Sequence, residues 1–176
     1  MTVNFYRHNP EAPEHAPPSP KPHFRVRCWR PDYDGRPSGG SRRASNYFWW
    51  VLARTGRFKR EGFGEIRIEQ GAQLLHRLIV TPAWYRFPFM TQEDLQIGAV
   101  WTAPAARRKQ LARIAIGEAH RRFGGNGTRF WYVTQADNLA SDALARSCGY
   151  RLVGTGRRTR RFGTALLGQF VIDRYV

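Results

Sequence analysis

An apolar run of strand length, LQIGAVWT (95–102), lies in the middle of the chain and is soon followed by an amphipathic helix pattern. Such a run is typical of a central strand that is covered on both faces. The helix pattern places Leu111, Ala115, Ala119 and Phe123 on one face at four-residue spacing, as expected for a helix packed on one side. A central strand that leads into a packed helix predicts a mixed α/β domain.

The segments on either side alternate between strand and helix patterns. Period-two alternation and bounding turn residues predict the strands, and capping residues bound the helices. Predicted strands are HFRVRCW, the hairpin GEIRIEQ and QLLHRLIVT, the central run, RFWYVTQ, and two final strands at about 151–154 and 165–172. Predicted helices are YFWWVLART, the helix that begins near Leu111, and a short one within ADNLASDALARSCGY. The basic segment TGRRTRRFGT is predicted to be the loop between the last two strands.

The first 22 residues are rich in proline, as in NPEAPEHAPPSPKP. Proline lacks a backbone N–H and fixes φ, so it suits neither a helix interior nor a central strand. We therefore expect residues 1–22 to form an extended or disordered leader, and a single folded domain to span residues 23–176.

Composition limits the class of protein more than its function. The net charge is +16 among 176 residues. Such a charge favours the binding of polyanions or of phosphorylated ligands, but it does not distinguish between these two classes. No window of about 18 apolar residues predicts a membrane span, and the first residues lack the order of a signal peptide. Two cysteines do not make a disulfide framework, so a cytoplasmic protein is expected.

A cluster of cations stands at the start of the helix that follows the central strand. Arg107, Arg108 and Lys109 precede Gln110 there. A helix start presents unpaired N–H groups and the positive end of the helix dipole, which together suit a phosphate group. Taken alone, the same residues equally describe a solvated basic turn.

Two patterns flank that helix. The first runs from Arg107 to Ala112 and matches a Q/R-x-x-G-x-G/A turn, with Gln110 in place of the central glycine. The second has Asn138 after a strand, a short helix, and the pair Gly149-Tyr150. In this order the patterns resemble the GNAT superfamily of acyl-CoA-dependent N-acetyltransferases, over about residues 95–154 by motif and 24–172 by element order. The resemblance implies an α/β (α+β) fold, a single GNAT-like domain whose mixed, mostly antiparallel sheet has splayed central strands flanked by helices.

The resemblance also implies where acetyl-CoA or another acyl-CoA would bind as cosubstrate, with no metal. The pantetheine arm would lie between the splayed strands, and a backbone N–H near Val100 or Trp101 would face the thioester carbonyl. Such a donor stabilises negative charge that develops on the oxygen. The implied binding residues are Val100, Trp101, Thr102, Arg107, Arg108, Lys109, Gln110, Leu111, Ala112 and Asn138. Packing is an alternative role for Trp101, and helix capping is an alternative for Asn138.

Acyl transfer to an amine needs a proton removed from the amine and a proton supplied to the leaving thiolate. The family's usual acid, a tyrosine seven residues after the asparagine, is Ala145 here. The candidate replacements are Ser141, Cys148 and Tyr132; Cys148 also suits a small buried position. The candidate bases are Asp94 and Glu93, just before the central strand, and His76 in the strand before it.

The first hypothesis is an acyltransferase that moves an acetyl or other acyl group to a primary amine of a small molecule by direct attack in a ternary complex. An amino sugar is one candidate acceptor, because the segment 86–109 is similar to GNAT proteins linked to cell-surface polysaccharide synthesis. A second hypothesis is a catalytically degenerate sensor of CoA. The third, a nucleic-acid-associated protein, rests on basic clusters alone. We expect a monomer or homodimer.

Overall fold

The computed structural model describes residues 2–8, 18–20, 22–31, 36, 44–58, 62–125, 127–160 and 168–176. Eight strands form one sheet in the order β2-β3-β4-β5-β6-β1-β7-β8. The strands are β1 Thr2–His8, β2 Arg25–Trp29, β3 Gly64–Gln70, β4 Gln73–Pro82, β5 Asp94–Thr102, β6 Arg129–Gln135, β7 Tyr150–Arg158 and β8 Phe170–Tyr175. All neighbouring pairs are antiparallel except β5 and β6, which are parallel.

Helices cover the two faces of this sheet. They are α1 Ala44–Arg54, α2 Leu111–Phe123 and α3 Leu139–Ser147. The apolar side of α2, including Leu111, packs with Ile66 and Ile97 in the main core cluster. On the other face Trp49 of α1 packs against Phe63. No helix in the described part of the chain combines the length and hydropathy of a membrane span.

The predicted mixed, mostly antiparallel sheet is confirmed, but the start of the chain was assigned wrongly. Residues 2–8 are not part of a leader: they form β1, which lies between β6 and β7. The first proline is Pro10, so the segment TVNFYRH contains no proline that would prevent it from forming a strand. Val3, Phe5 and Tyr6 are fully buried there. Residues 9–17 of the predicted leader lie outside the described residues.

The last two strands also differ from the prediction. The strand β7 continues through residues 155–158, which were predicted to belong to a basic loop, because those residues pair with β1 and β8. Gly156 fits this position because a Cβ there would collide with the backbone of Val171. The last strand begins at Phe170 rather than at residue 165. Residues 161–167 lie outside the described part of the chain.

Candidate functional site

The two central strands separate part of the way along their length. Parallel pairing joins Asp94–Ile97 of β5 to Arg129–Tyr132 of β6. Beyond that point β5 continues to Thr102 with β4 as its partner, while β6 continues in register with β1. The splayed arrangement expected from the resemblance is therefore present, and the gap opens toward the carboxyl ends of both strands.

An irregularity in β5 lies at the start of the gap. Arg77 pairs with Trp101 and Ile79 pairs with Gly98, so β5 has one residue more than β4 in this interval. Ala99 takes a φ of 50° within the bulge. A bulge re-aims the backbone groups beside it and is frequent near functional sites. Trp101 is 40% exposed just after the bulge, and its predicted place in the cosubstrate site and its alternative role in packing both stay predictions.

The turn between β5 and α2 has the backbone that the glycine-containing motif requires. A short 3₁₀ turn at Pro104–Ala106 leads into Arg107, and Arg108 and Gln110 have φ values of 60° and 59°. Gln110 thus takes the left-handed conformation that glycine adopts most easily. Its side chain leads away along the helix surface, where Arg113 donates to its Oε1 at 3.3 Å.

The start of α2 suits a diphosphate. Gln110 makes no side-chain capping hydrogen bond, and the first turn of α2 contains no acidic residue. Arg107, Arg108 and Lys109 are all exposed beside it. Exposed cations and the positive end of a helix dipole both favour an anion.

Asn138 begins α3, and the capping role is confirmed. Its Oδ1 accepts a hydrogen bond from the backbone N–H of Ser141 at 3.1 Å. Its predicted contact with a cosubstrate stays a prediction. About two turns further along the helix, Ala145 is completely buried in the core, and its methyl side chain cannot act as an acid.

Two of the three alternative acids lie together. The hydroxyl oxygens of Tyr132 and Ser141 are 2.9 Å apart. Tyr132 is opposite Ile97, the last pair before β5 and β6 separate. Burial raises the pKa of Tyr132, although the hydrogen bond with Ser141 partly opposes the rise, so the phenol keeps its proton at neutral pH. Burial also raises the pKa of Cys148, which remains a thiol.

The two candidate carboxylates lie at the far end of β5. Asp94 is fully buried and accepts three hydrogen bonds, from Arg129 Nε at 2.7 Å, the Thr91 backbone N–H at 2.8 Å and Trp131 Nε1 at 3.0 Å. It stands roughly 16 Å from Ala99 at the usual rise along a strand. Glu93 is exposed beside it. Their role as bases stays a prediction, and this position weighs against it.

His76 lies on the side of the sheet covered by α2. It is fully buried, and its Nδ1 is 2.8 Å from Thr102 Oγ1. Burial lowers the pKa of His76 to about 4, because the charged imidazolium would be poorly solvated there. The structure brings His76 near the end of β5 but buries it away from solvent. Its role as a base also stays a prediction.

Most of the aromatic residues of α1 and of the segment between β4 and β5 pack with one another. Trp49 contacts Trp84 at a ring-centroid distance of 5.3 Å, and Phe87 contacts Phe89 at 6.0 Å. Tyr47 and Tyr85 are each 40% exposed. The set is mainly a second core layer that covers the face opposite α2.

Sequence reasoning missed the buried polar groups on this second face. Asn46 of α1 donates through Nδ2 to Glu65 Oε2 at 2.8 Å, and both residues are fully buried. Arg67 on the same strand is only 8% exposed. The alternation in GEIRIEQ sets Arg67 and Glu69 on the face opposite Ile66 and Ile68, but it could not show that α1 covers part of that face.

Comparisons with known proteins agree with this geometry. The family model described as "Acetyltransferase (GNAT) family" matches residues 7–150. No curated protein matches the sequence closely enough to count as a relative.

Several solved structures are similar in fold. A GCN5-related N-acetyltransferase from Kribbella flavida superimposes with a TM-score of 0.53 at 14% identity, over 88% of this chain and 56% of that one. A tandem GNAT protein from the clavulanic acid biosynthesis pathway gives 0.55 at 15% identity, over 86% and 50%. AAC(6')-Iy, solved with the bisubstrate analogue CoA-S-monomethyl-acetylneamine, gives 0.52 at 10% identity, over 73% and 91%. The chain thus spans about half the length of the first two.

Proposed function

Since the chain belongs to the GNAT acetyltransferase family, whose model matches residues 7–150, we propose that it transfers an acetyl group from acetyl-CoA to a primary amine of a small molecule. Transfer takes place by direct attack in a ternary complex. The observation that carries this proposal is the gap between β5 and β6, with the bulge at Ala99 and the glycine-like turn at Gln110 on the same edge of the sheet. The similarity to AAC(6')-Iy, solved with a CoA-containing bisubstrate analogue, supports the cosubstrate.

The exposed turn residues would hold the diphosphate of acetyl-CoA. Arg107, Arg108 and Lys109 would contribute charge, and the backbone amides of Leu111 and Ala112 would contribute hydrogen bonds. The backbone of residues 100–102 would line the gap for the pantetheine arm. Bound there, acetyl-CoA supplies an activated acetyl thioester.

Tyr132 is the proton donor that the proposal assigns to the leaving thiolate. It stands at the closed end of the gap, and its raised pKa keeps it protonated at neutral pH. Ser141 holds the phenol by a hydrogen bond of 2.9 Å. We assign no residue to the removal of the ammonium proton.

The first experiment measures acetyl-CoA binding and turnover. We expect acetyl-CoA to raise the melting temperature and free thiol to appear only when an amine is present. Arg107→Ala should weaken acetyl-CoA binding by about 10-fold or more, the usual loss for a hydrogen bond to a charged group. Arg151→Ala is the control, because Arg151 is exposed at the far end of the sheet. No stabilisation at millimolar acetyl-CoA would contradict the proposal.

The same measurements separate the enzyme from a sensor of CoA. Stabilisation by acetyl-CoA without thiol release across a panel of primary amines would favour the sensor. This second function is supported by one observation: position 145, where the family usually has its acid, is a buried alanine.

A second experiment tests the proton donor. Tyr132→Phe removes the hydroxyl but keeps the ring, so we expect kcat to fall by about 100-fold or more, as general acids contribute. Acetyl-CoA affinity should stay unchanged. Ser141→Ala removes only the partner of the phenol and should cost less. Equal kcat values for wild type and Tyr132→Phe would remove Tyr132 from the mechanism.

A further inference from the structure

Two buried tyrosines stand side by side next to α3. Tyr6 on β1 is directly opposite Tyr132 on β6, and the two residues are 0% and 2% exposed. Directly opposite residues of paired strands project from the same face of the sheet. Both belong to the main core cluster, together with Ala145 of α3. The proposed proton donor therefore has a second phenol as its neighbour.

The hydroxyls of these tyrosines meet consecutive residues in the first turn of α3. The oxygens of Tyr132 and Ser141 are 2.9 Å apart, and the Tyr6 hydroxyl donates to Asp142 Oδ1. The backbone N–H groups of Ser141 and Asp142 both donate to the carbonyl of Asn138, at 3.1 and 3.0 Å. Because one turn carries both contacts, a movement of that turn relative to the sheet would change both together.

The contact of Tyr6 with Asp142 attaches α3 to β1. A hydrogen bond to a carboxylate is roughly twice as strong as one between neutral groups, such as the two hydroxyls of Tyr132 and Ser141. Asp142 Oδ2 also accepts from Arg146 Nε at 2.9 Å. The guanidinium of Arg146 lies 5.6 Å from the centroid of the Tyr6 ring, so three side chains hold one another at this point.

The reach of Ser141 makes this attachment matter. A serine side chain is short, so its oxygen stays with the phenol of Tyr132 only if the backbone of α3 stays in place. Catalytic groups are sensitive to small displacements, since a misplacement of about 1 Å can cost about 100-fold in rate.

We propose that Tyr6 and Asp142 are positioning residues for the proton donor. Their hydrogen bond holds the first turn of α3 where the Ser141 hydroxyl meets the phenol of Tyr132. The inference rests on the proposed function, in which Tyr132 protonates the leaving thiolate. Tyr6 and Asp142 exchange no proton with the substrate and act only through Ser141 and Tyr132. The first strand thus serves a site whose gap is formed by β5 and β6.

The first test removes the Tyr6 hydroxyl and keeps its ring. We expect Tyr6→Phe to lower kcat by about 10-fold, as for the loss of one hydrogen bond to a charged group, and to leave the KM for acetyl-CoA unchanged. In a Tyr132→Phe background the same change should have no further effect on kcat, because residues that act through one another are not additive.

Tyr150→Phe is the matched control for this experiment. It also removes a buried hydroxyl, but that hydroxyl lies 2.8 Å from His120 Nε2 of α2, and we expect kcat to stay unchanged. Equal kcat values for wild type and Tyr6→Phe would overturn the positioning role. The same fold loss from Tyr6→Phe with and without the Tyr132 hydroxyl would overturn it too.

A pair of variants at Asp142 separates the hydrogen bond from the charge. Both Asp142→Asn and Asp142→Ala remove the charge, but only Asp142→Ala removes the oxygen that accepts from Tyr6. The side chain is 25% exposed, so either variant should fold. We expect Asp142→Ala to lose about 10-fold in kcat, as Tyr6→Phe does, and Asp142→Asn to lose less. An equal loss in both would assign the effect to charge and overturn the proposal.

Nuclear magnetic resonance gives a readout that needs no turnover. In protein labelled with tyrosine carrying ¹³C at Cζ, the signal of Tyr132 is identified by its absence in Tyr132→Phe. We expect Tyr6→Phe to shift this signal in the same direction as Ser141→Ala, because both weaken the hydrogen bond of the phenol. An unchanged signal in Tyr6→Phe would overturn the positioning role. Failure of the wild type to release thiol with any amine would instead overturn the proposed function.

Discussion

A glutamine occupies a backbone conformation that usually belongs to glycine. Gln110 has a φ of 59° at the start of α2, and a left-handed conformation costs a side-chain-bearing residue about 1–2 kcal/mol. Glycine avoids that cost but loses more entropy on folding, by about 0.5–1 kcal/mol. The second effect offsets about half of the first, so glutamine costs this turn only about 0.5–1 kcal/mol relative to glycine.

We therefore expect Gln110→Gly to change the free energy of unfolding by no more than about 1 kcal/mol and to keep acetyl-CoA affinity. Gln110→Val should destabilise by about 1–2 kcal/mol, because a β-branched residue tolerates this conformation poorly. Urea unfolding and calorimetric titration measure both effects. Lys109→Gly is the control, since residue 109 does not have a positive φ; a gain in stability there would contradict the explanation.

Asp94 illustrates what the sequence can and cannot predict about a single residue. A carboxylate at the start of a central strand was identified from the sequence, and its predicted role as a base stays a prediction, but its hydrogen-bond partners were not foreseen. Its three donors come from residues 91, 129 and 131, and two of these belong to another strand. Only the pairing of β5 with β6 shows that Asp94 fastens the closed end of the two strands together.

At the scale of elements, α2 and the strand beneath it contain two buried imidazoles. Burial lowers the pKa of His76 on β4 to about 4. Burial, followed by the nearby His8, lowers the pKa of His120 on α2 to about 3. His120 Nε2 is also 2.8 Å from the Tyr150 hydroxyl. Both rings are therefore neutral in the folded protein over the whole range in which an unfolded histidine would bind a proton.

This predicts acid sensitivity. Between about pH 6.5 and 5 the unfolded chain binds more protons than the folded one, so stability falls as pH falls, by up to about 1.4 kcal/mol per pH unit for each histidine. We expect His76→Gln and His120→Gln each to flatten the dependence of the urea midpoint on pH. His23→Gln, at an exposed residue, should not. Parallel curves for all three variants would show that these rings do not cause the effect.

The strands differ in how well the sequence predicted them. The hairpin of β3 and β4 was identified because its strands are local partners joined at Gly71, which has a positive φ. The strand β1 was missed because its partners are distant and its alternation is broken. A register shift between Phe5 and Tyr6 buries both neighbours, so the segment shows no clean period of two.

At the scale of the whole molecule, the sequence was sufficient for the family and the fold class. The turn at 107–112 and the short helix after Asn138 are local patterns, and local patterns can be read from one chain. The neighbouring positions of Arg27, Arg67 and Arg77 could not be read in this way. They exist only because three separate strands align in register, and cross-strand register is set by the packing of the whole sheet.

The structure also shows where part of the net charge of +16 lies on the molecule. Charge of one sign raises the local concentration of oppositely charged ligands. The exposed cations at residues 107–109 are one such place, and their charge favours the phosphate groups of the proposed cosubstrate.

The position of β1 has a consequence for how the protein reaches its fold during synthesis. Tyr6 contacts Asp142, 136 positions later in the sequence, and β1 pairs with strands that end at residues 135 and 158. β1 is synthesised before either of its partners, so Val3, Phe5 and Tyr6 stay uncovered until β6 and then β7 have emerged from the ribosome. Contacts of such long sequence separation slow folding, and an exposed apolar strand is prone to association in the meantime. The pairing of β1 with β7 can form only after β7 has been translated.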